Sequence, residues 1–303
     1  MIYLDENQTR QLITHGLAYS AVKDAFVAAC GKEAVLFPVV NASGPQQNSM
    51  FSLKSASTPD LVGWKTGTYW PDNGKKNLPN HGTTIFLLSP DTGALYATIE
   101  ASAVNAYRTA AADAVAVDYL AKKEASVLTV FGTGHQAEYE VLAISQIRSI
   151  DKVLVVGRDT INTQNFINRL ADKHIPAEPV KAQYGCEHAD IIVTATTACE
   201  PLFDVEWIKP GTHISAMGAD KIGKQELPVE LYQQAKLFCD LASQSLVIGE
   251  FQHSHNASLT EIGKVIQGTH EGRNSPDQVT IFDSSGIAIQ DLFVANKLIE
   301  LSN

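Results

Sequence analysis

Across residues 5–30 apolar positions recur at helical spacing, with Leu12, Leu17, Val22 and Phe26 set among polar neighbours, and a helix is predicted there. Runs at 35–41, 49–55, 61–68, 83–89 and 94–100 then read as strands. The turn string Pro71-Asp72-Asn73-Gly74 follows the third of these runs, and Ser89-Pro90-Asp91-Thr92-Gly93 joins the last two as a hairpin. An alanine-rich helix is predicted over 102–122. Beyond it the pattern changes. Runs at 126–131, 152–157, 190–196 and 212–217, with a shorter one at 237–240, are continuously apolar, as in strands buried on both faces. Strand and helix alternating in this way predict a doubly wound parallel sheet. The chain closes with a run at 279–282 and a helix over 286–301, both expected to pack back on the first part. The fold class is therefore α/β: a doubly wound domain over 116–280 and an α+β domain over 1–115, completed by residues 281–303 and bridged by the helix at 102–122.

Composition narrows the class. With 45% hydrophobic and 18% charged residues in 303, the chain is an ordinary globular one, which excludes disorder and coiled coil. Asp and Glu number 33 against 23 Lys and Arg, and the net charge of −10 disfavours nucleic acid as a partner. The most apolar stretch, 110–121, is interrupted by Asp113 and Asp118 and is too short to span a bilayer. The N-terminus lacks a basic region followed by an apolar run, so no signal peptide is read there, and no membrane association is expected. Cys30, Cys186, Cys199 and Cys239 form no C-x-x-C pair, which suits free thiols in a cytoplasmic protein. The histidines are scattered. His253 and His255 are the nearest pair and have no third ligand close by, so no metal is expected.

The first parallel strand ends in Gly132-Thr133-Gly134-His135-Gln136-Ala137, the G-x-G-x-x-A Rossmann fingerprint. Gly132 permits the tight turn, Gly134 lets backbone approach a pyrophosphate, and Ala137 allows close packing of helix on strand. His135 and Gln136 open the helix whose N–H groups and dipole face the phosphates. The second strand ends in Gly157-Arg158-Asp159-Thr160, where the adenosine ribose is met. Arg158 suits the 2′-phosphate of NADP; Asp159 suits the 2′-hydroxyl of NAD or caps the next helix. The balance leans slightly to NADP. Either cofactor implies hydride transfer.

Several segments then fall together in order: Val62-Gly63-Trp64-Lys65, Asn77-Leu78-Pro79, Asp91-Thr92-Gly93, Tyr107-Arg108-Thr109-Ala110-Ala111, the fingerprint, Ile192-Val193-Thr194-Ala195-Thr196, Pro210-Gly211-Thr212-His213, Met217-Gly218-Ala219-Asp220, Gly223-Lys224-Gln225-Glu226-Leu227, Gly249-Glu250 and Phe282-Asp283-Ser284-Ser285-Gly286. Over nearly its whole length the chain resembles the ornithine cyclodeaminase/mu-crystallin family. The resemblance implies a homodimer that pairs the first domains' sheets, a Rossmann domain, an active site in the cleft between domains and an NAD(P)-dependent oxidoreductase acting on C=N or CH–NH2 groups. It implies that Lys65 and Arg108 hold the α-carboxylate of a small imino or amino acid, a task that suits an arginine fork and a lysine point charge. It makes Asp220 the catalytic acid. It places Thr109, Thr194, Ala195, Thr196, Met217, Gly218 and Ser285 along the cofactor.

Departures from the family pattern sharpen the substrate. Phe37-Pro38-Val39-Val40 lacks the arginine that cyclodeaminases carry there, and Ser52 stands near the place of their glutamate. A site without that glutamate no longer suits a diamine. Lys54 and His81 become candidates for a second carboxylate. With Thr68-Tyr69-Trp70-Pro71-Asp72-Asn73, Asn77-Leu78-Pro79-Asn80-His81, Gly249-Glu250-Phe251-Gln252-His253 and Ile281-Phe282-Asp283, the chain resembles the iminosuccinate-reducing members. The expected reaction is iminosuccinate to L-aspartate. The alternatives are reduction of Δ1-pyrroline-2-carboxylate or another ketimine, with Phe51, Tyr69 and Trp70 as an apolar wall, or alanine dehydrogenation. Behind these stand ornithine cyclodeamination and non-catalytic binding of the mu-crystallin kind.

Overall fold

The computed structural model describes residues 1–254 and 257–302, so His255 of the histidine pair lies outside the described residues. The chain forms two compact units, Met1–Arg108 with the segment from Ile287 onward, and Thr109–Gly286. The first contains β1 (Ile2–Leu4), α1 (Glu6–Leu12), α2 (His15–Ala29), β2 (Val35–Leu36), β3 (Val40–Ser43), β4 (Met50–Ser57), β5 (Val62–Tyr69), β6 (His81–Leu88), β7 (Leu95–Glu100) and the start of α3 (Ser102–Leu120). The helix predicted over 5–30 is thus two. Asp5 closes a capping box with Gln8, and the Thr14 hydroxyl accepts the N–H of Leu17; each cap starts a helix of its own.

The sheet of this unit runs β1-β7-β6-β5-β4-β2, with β3 also paired to β4. It is antiparallel except where β1 joins β7. Alternate residues bury one face: Gly63 and Lys65 on β5, Ile85 and Leu87 on β6, Ala97 and Ile99 on β7. In register, Lys54 lies opposite Lys65 and Ser52 opposite Gly67, while Tyr69 lies opposite His81. Ser52, Lys54, Lys65, Tyr69 and His81 therefore share a face, and Phe51 belongs to the other.

The second unit continues α3 and adds β8 (Val127–Phe131), α4 (His135–Ile147), β9 (Lys152–Val156), α5 (Thr160–Ala171), β10 (Ala177–Pro179), α6 (Ala182–His188), β11 (Ile191–Thr194), β12 (His213–Ala216), β13 (Ala235–Cys239), α7 (Ala242–Ile248), β14 (Leu259–Glu261), α8 (Ile262–Ile266) and β15 (Val279–Asp283). Its sheet is parallel throughout, in the order β10-β9-β8-β11-β12-β15-β13-β14. The first five strands take the Rossmann order, and the direction of winding reverses between β8 and β11. The terminal helix, α9 (Ala288–Ser302), belongs to the first unit and packs on α2, β4, β5 and β6.

One expectation is corrected here. The run at 279–282 does not complete the first unit; β15 lies inside the parallel sheet between β12 and β13, and only the segment from Ile287 onward joins the first unit. The reason is burial: from Thr280 to Asp283 every residue of β15 is buried, as in the other central strands. The division at 108/109 cuts α3, a continuous helix with no linker to mark it. The strands β1, β10 and β14, three residues each, are too short to leave a periodic signal. No described helix is long and apolar enough to cross a membrane.

The place of β15 is testable. Phe282 is fully buried, and Phe282→Ala is expected to cost about 3–5 kcal/mol in urea unfolding, as for a large core side chain. A loss below about 1 kcal/mol, the size of a surface substitution, would contradict a central β15.

Candidate active site

Lys65 issues from the buried face of β5, and its Nζ donates to Asn105 Oδ1 at 2.6 Å and to Asp291 Oδ1 at 3.0 Å. Arg108 reaches the same place from α3. Its Nη2 donates to Asn105 Oδ1 (3.0 Å), its Nη1 to Gln290 Oε1 (3.3 Å), and its Nε lies 3.3 Å from Asp291 Oδ1. Asn105 and Arg108, three apart, share one face of α3. Gln290 and Asp291 come from the first turn of α9.

All the charges in this cluster are buried: Lys65 is 5% exposed, Arg108 7% and Asp291 1%. Two cations thus face a single carboxylate. Lys54, half-buried on the same sheet face, adds a third positive charge close enough to act on both Lys65 and Asp291. Burying unmatched charge is costly, and a purely structural pair would be balanced. Asp291 Oδ2 and Gln290 Nε2 are buried without hydrogen-bond partners, so the cluster also holds unused polar capacity. Burial, reinforced by Arg108, pulls the Lys65 ammonium down to about 7 against the pull of Asp291. Burial works to raise Asp291, but Lys65 and Arg108 outweigh it and hold the carboxyl below the usual range. Such a cluster can take a carboxylate, with the arginine as fork and the lysine as point charge.

His81 is exposed, its ring 4.7 Å from that of Tyr69, and Ser52 is half-buried; neither joins the ion cluster. Asn105, Gln290 and Asp291 were absent from the sequence expectations. The signal that marks Asp291 is a carboxylate inside the apolar run Ile287-Ala288-Ile289-Gln290-Asp291-Leu292-Phe293-Val294.

In the second unit the fingerprint lies at the switch point between β8 and β11. Gly132 has φ +116°, and an added Cβ would come within 2.6 Å of the Ala195 carbonyl oxygen at the end of β11, so glycine is required on both counts. Gly134 differs: an added Cβ would meet nothing within 4 Å. The fold itself does not demand glycine there, and the space beside it is open. Gly134 is the N-cap of α4 and supplies no side-chain cap hydrogen bond. Ala137 is fully buried. These features fit a dinucleotide pyrophosphate.

Arg158 is exposed beyond β9, while Asp159 caps α5 by accepting the N–H of Asn162 at 2.7 Å. His135 is exposed, with its ring against Tyr139, and Gln136 donates to Glu140. Thr109 is half-buried on α3 and Met217 is buried after β12. The hydroxyls of Thr194 and Thr196 and the N–H of Gly218 donate to Glu226, and the Ser285 hydroxyl donates to Asp240. Asp220 is exposed after β12, 2.7 Å from Lys224 Nζ. Among the described residues no group of three or more His, Cys, Asp or Glu is placed to hold a metal ion.

A Rossmann-type unit and an α+β unit with a buried cationic cluster define a two-unit α/β protein of the dinucleotide-fold class. The chain belongs to the ornithine cyclodeaminase/mu-crystallin family, whose sequence model matches residues 16–301. It is 36% identical to the iminosuccinate reductase of Paracoccus denitrificans, across 100% of this chain and 97% of that one. The crystal structure of that enzyme with NAD+ superposes with a TM-score of 0.95, covering 100% of this chain and 96% of the other at 35% identity. An archaeal alanine dehydrogenase dimer with bound NAD has a TM-score of 0.90 at 32% identity, with 100% and 96% covered. The Δ1-pyrroline-2-carboxylate reductase of Thermococcus litoralis, in complex with NADH and L-proline, has a TM-score of 0.89 at 28% identity, with 99% and 97% covered.

The depressed Lys65 makes stability depend on pH. Between about 7 and its ordinary 10.5 the unfolded chain holds a proton on Lys65 that the folded chain lacks, so this group's contribution favours folding more as pH rises. The unfolding free energy of wild type minus that of Lys65→Met is therefore expected to grow from pH 7 to pH 10 in urea titrations. A difference that stays flat or falls would contradict the burial of Lys65 as a weakened base.

Proposed function

We propose that the protein reduces iminosuccinate to L-aspartate with a nicotinamide cofactor. It is an imino acid reductase, an NAD(P)-dependent oxidoreductase acting on C=N or CH–NH2 groups, as its relatives are. The observation that carries the dicarboxylate reading is the grouping of positive charge: buried Lys65 and Arg108 share Asp291, and Lys54 on the same sheet face is close enough to act on that carboxylate too. A monocarboxylate would leave more of that charge unmatched than a dicarboxylate does. The apolar wall that a ring substrate would need is weakened, because Phe51 lies on the sheet face opposite Lys65.

In this reading Arg108 and Lys65 bind the α-carboxylate and orient the imine carbon, while Lys54, aided by Ser52 and His81, receives the second carboxylate. Residues 132–137 would hold the pyrophosphate, and Thr109, Thr194–Thr196, Met217, Gly218 and Ser285 the rest of the cofactor. The cofactor supplies hydride when bound. Asp220, paired with Lys224, stabilises the protonated imine and so makes its carbon more electrophilic. Asp159 is occupied as a helix cap, and exposed Arg158 favours the 2′-phosphate of NADPH. A homodimer is supported by exposed Val35, Phe37, Val40 and Met50 at one edge of the first unit's sheet.

Initial rates of NADH and NADPH oxidation test the substrate, with oxaloacetate plus ammonia compared with pyruvate plus ammonia and Δ1-pyrroline-2-carboxylate. We expect kcat/KM for the oxaloacetate mixture to be at least about tenfold the others, about 1.4 kcal/mol of transition-state preference. Preference for the ring or for pyruvate would replace iminosuccinate by that substrate. Arg158→Ala is expected to raise KM for NADPH about tenfold or more and to leave KM for NADH within about twofold, the loss of one charge-assisted phosphate contact. Equal effects on the two cofactors would remove the preference for NADPH.

A further inference from the structure

The segment Gly223-Lys224-Gln225-Glu226-Leu227, of which the chemistry above uses only Lys224, grips the loop after β12 from two sides. Glu226 is fully buried. Its Oε1 accepts the N–H and the hydroxyl of Thr196, both at 2.7 Å. Its Oε2 accepts the hydroxyl of Thr194 at 2.7 Å and the N–H of Gly218 at 2.9 Å. Four donors converge on two oxygens, an arrangement that only an acceptor-only side chain satisfies. An added Cβ on Gly218 would lie 2.5 Å from Glu226 Oε1, so the glycine is there to let the carboxylate in. Lys224 takes the other side of the same residue: its Nζ donates to the Gly218 carbonyl at 2.8 Å and pairs with Asp220 at 2.7 Å.

Glu226 is itself held in place. Its N–H donates to the Glu250 carboxylate, which also accepts Leu227 N–H and the Tyr232 hydroxyl. The N–H of Glu250 in turn donates to Asp283 at the end of β15. Carboxylate thus follows carboxylate across the carboxyl ends of adjacent strands, each bound to the backbone of the last. No described cation forms an ion pair with Glu226, Glu250 or Asp283.

We propose that Glu226 and Lys224 are positioning residues for the reaction: Glu226 sets residues 194–196 and 217–218 for the nicotinamide side of the cofactor, and Lys224 sets Asp220. The proposal rests on the cofactor and Asp220 roles given above. Glu226→Gln puts an amide donor where donors already point.

The test compares wild type, Glu226→Gln, Lys224→Met, Asp220→Asn and the double variant Lys224→Met/Asp220→Asn. Binding of NADH and of ADP-ribose is measured by fluorescence titration, beside kcat and thermal unfolding. ADP-ribose lacks the nicotinamide and relies on residues 132–137 and 158. Glu226→Gln is expected to weaken NADH at least about tenfold and to leave ADP-ribose within about twofold, since the lost contacts lie on the nicotinamide side alone. Equal weakening of both ligands, or of neither, overturns the role of Glu226, because a merely structural carboxylate does not discriminate between them. Should Glu226→Gln fail to fold, Lys224→Met carries the test. It is expected to lower kcat about tenfold with NADH affinity unchanged, and to add nothing on top of Asp220→Asn. Additive losses in the double variant overturn action through Asp220. Wild type that binds neither ligand would instead sink the cofactor reading, and an Asp220→Asn enzyme with normal kcat would sink the role of Asp220; both outcomes are distinct from failure of the clamp.

Discussion

Two buried cations sharing one buried carboxylate is the constraint around which the first unit is arranged. Lys65 on β5, Arg108 on α3 and Asp291 on α9 come from three separate elements, and their contact fixes how helix and sheet meet. Charge is rarely buried without a full complement of partners, because desolvation costs several kcal/mol per ion. Here, with Lys65 and Arg108 both charged, the buried cluster would carry one more positive than negative charge. The protein holds the imbalance by weakening Lys65 as a base and by spreading hydrogen bonds over Asn105 and Gln290. In the proposed function, the substrate carboxylate is what would complete the balance. Binding energy and selectivity for an acid then have one origin.

The second unit shows the opposite sign. Glu226, Glu250, Asp283 and Asp240 are all buried at the carboxyl ends of its parallel strands, and each is held by backbone N–H groups or hydroxyls. Burial raises Glu250 to about 7 and Asp283 well above its ordinary value. These groups order the loops at the strand ends. The N-terminus of α4, uncapped and beside the open space at Gly134, is by contrast suited to phosphate. Grouped positive charge in one unit and a helix N-terminus without a side-chain cap in the other are consistent with a reaction on an acid and a dinucleotide.

Much of this was legible in the chain. Continuous apolar runs located β8, β9, β11, β12 and β13 to within a few residues, because strands buried on both faces need apolar side chains on both. The fingerprint marked the switch point, since the φ of Gly132 and the opening at Gly134 each leave a glycine in the sequence. Lys65 and Arg108 were singled out through the family resemblance, and the structure brings those two together. Asp291 was not foreseen. It lies 226 positions from Lys65, and nothing local in a helix announces a partner that far away. The place of β15 was misread for a related reason: chain order put it near the terminal helix, whereas its burial put it in the other sheet. Glu226 and Glu250 were visible as motif residues, but their shared network exists only once four strand ends are side by side.

The surplus charge can be measured directly. Lys65, at about 7, is largely neutral at pH 8 in the free protein, and a bound carboxylate favours its charged form. Calorimetric titration with succinate, which carries two carboxylates and no amine, in two buffers of different ionisation enthalpy reports the protons exchanged on binding. The account predicts uptake of a large fraction of one proton at pH 8, lost in Lys65→Met. Binding without proton uptake, or uptake unchanged in that variant, would contradict it.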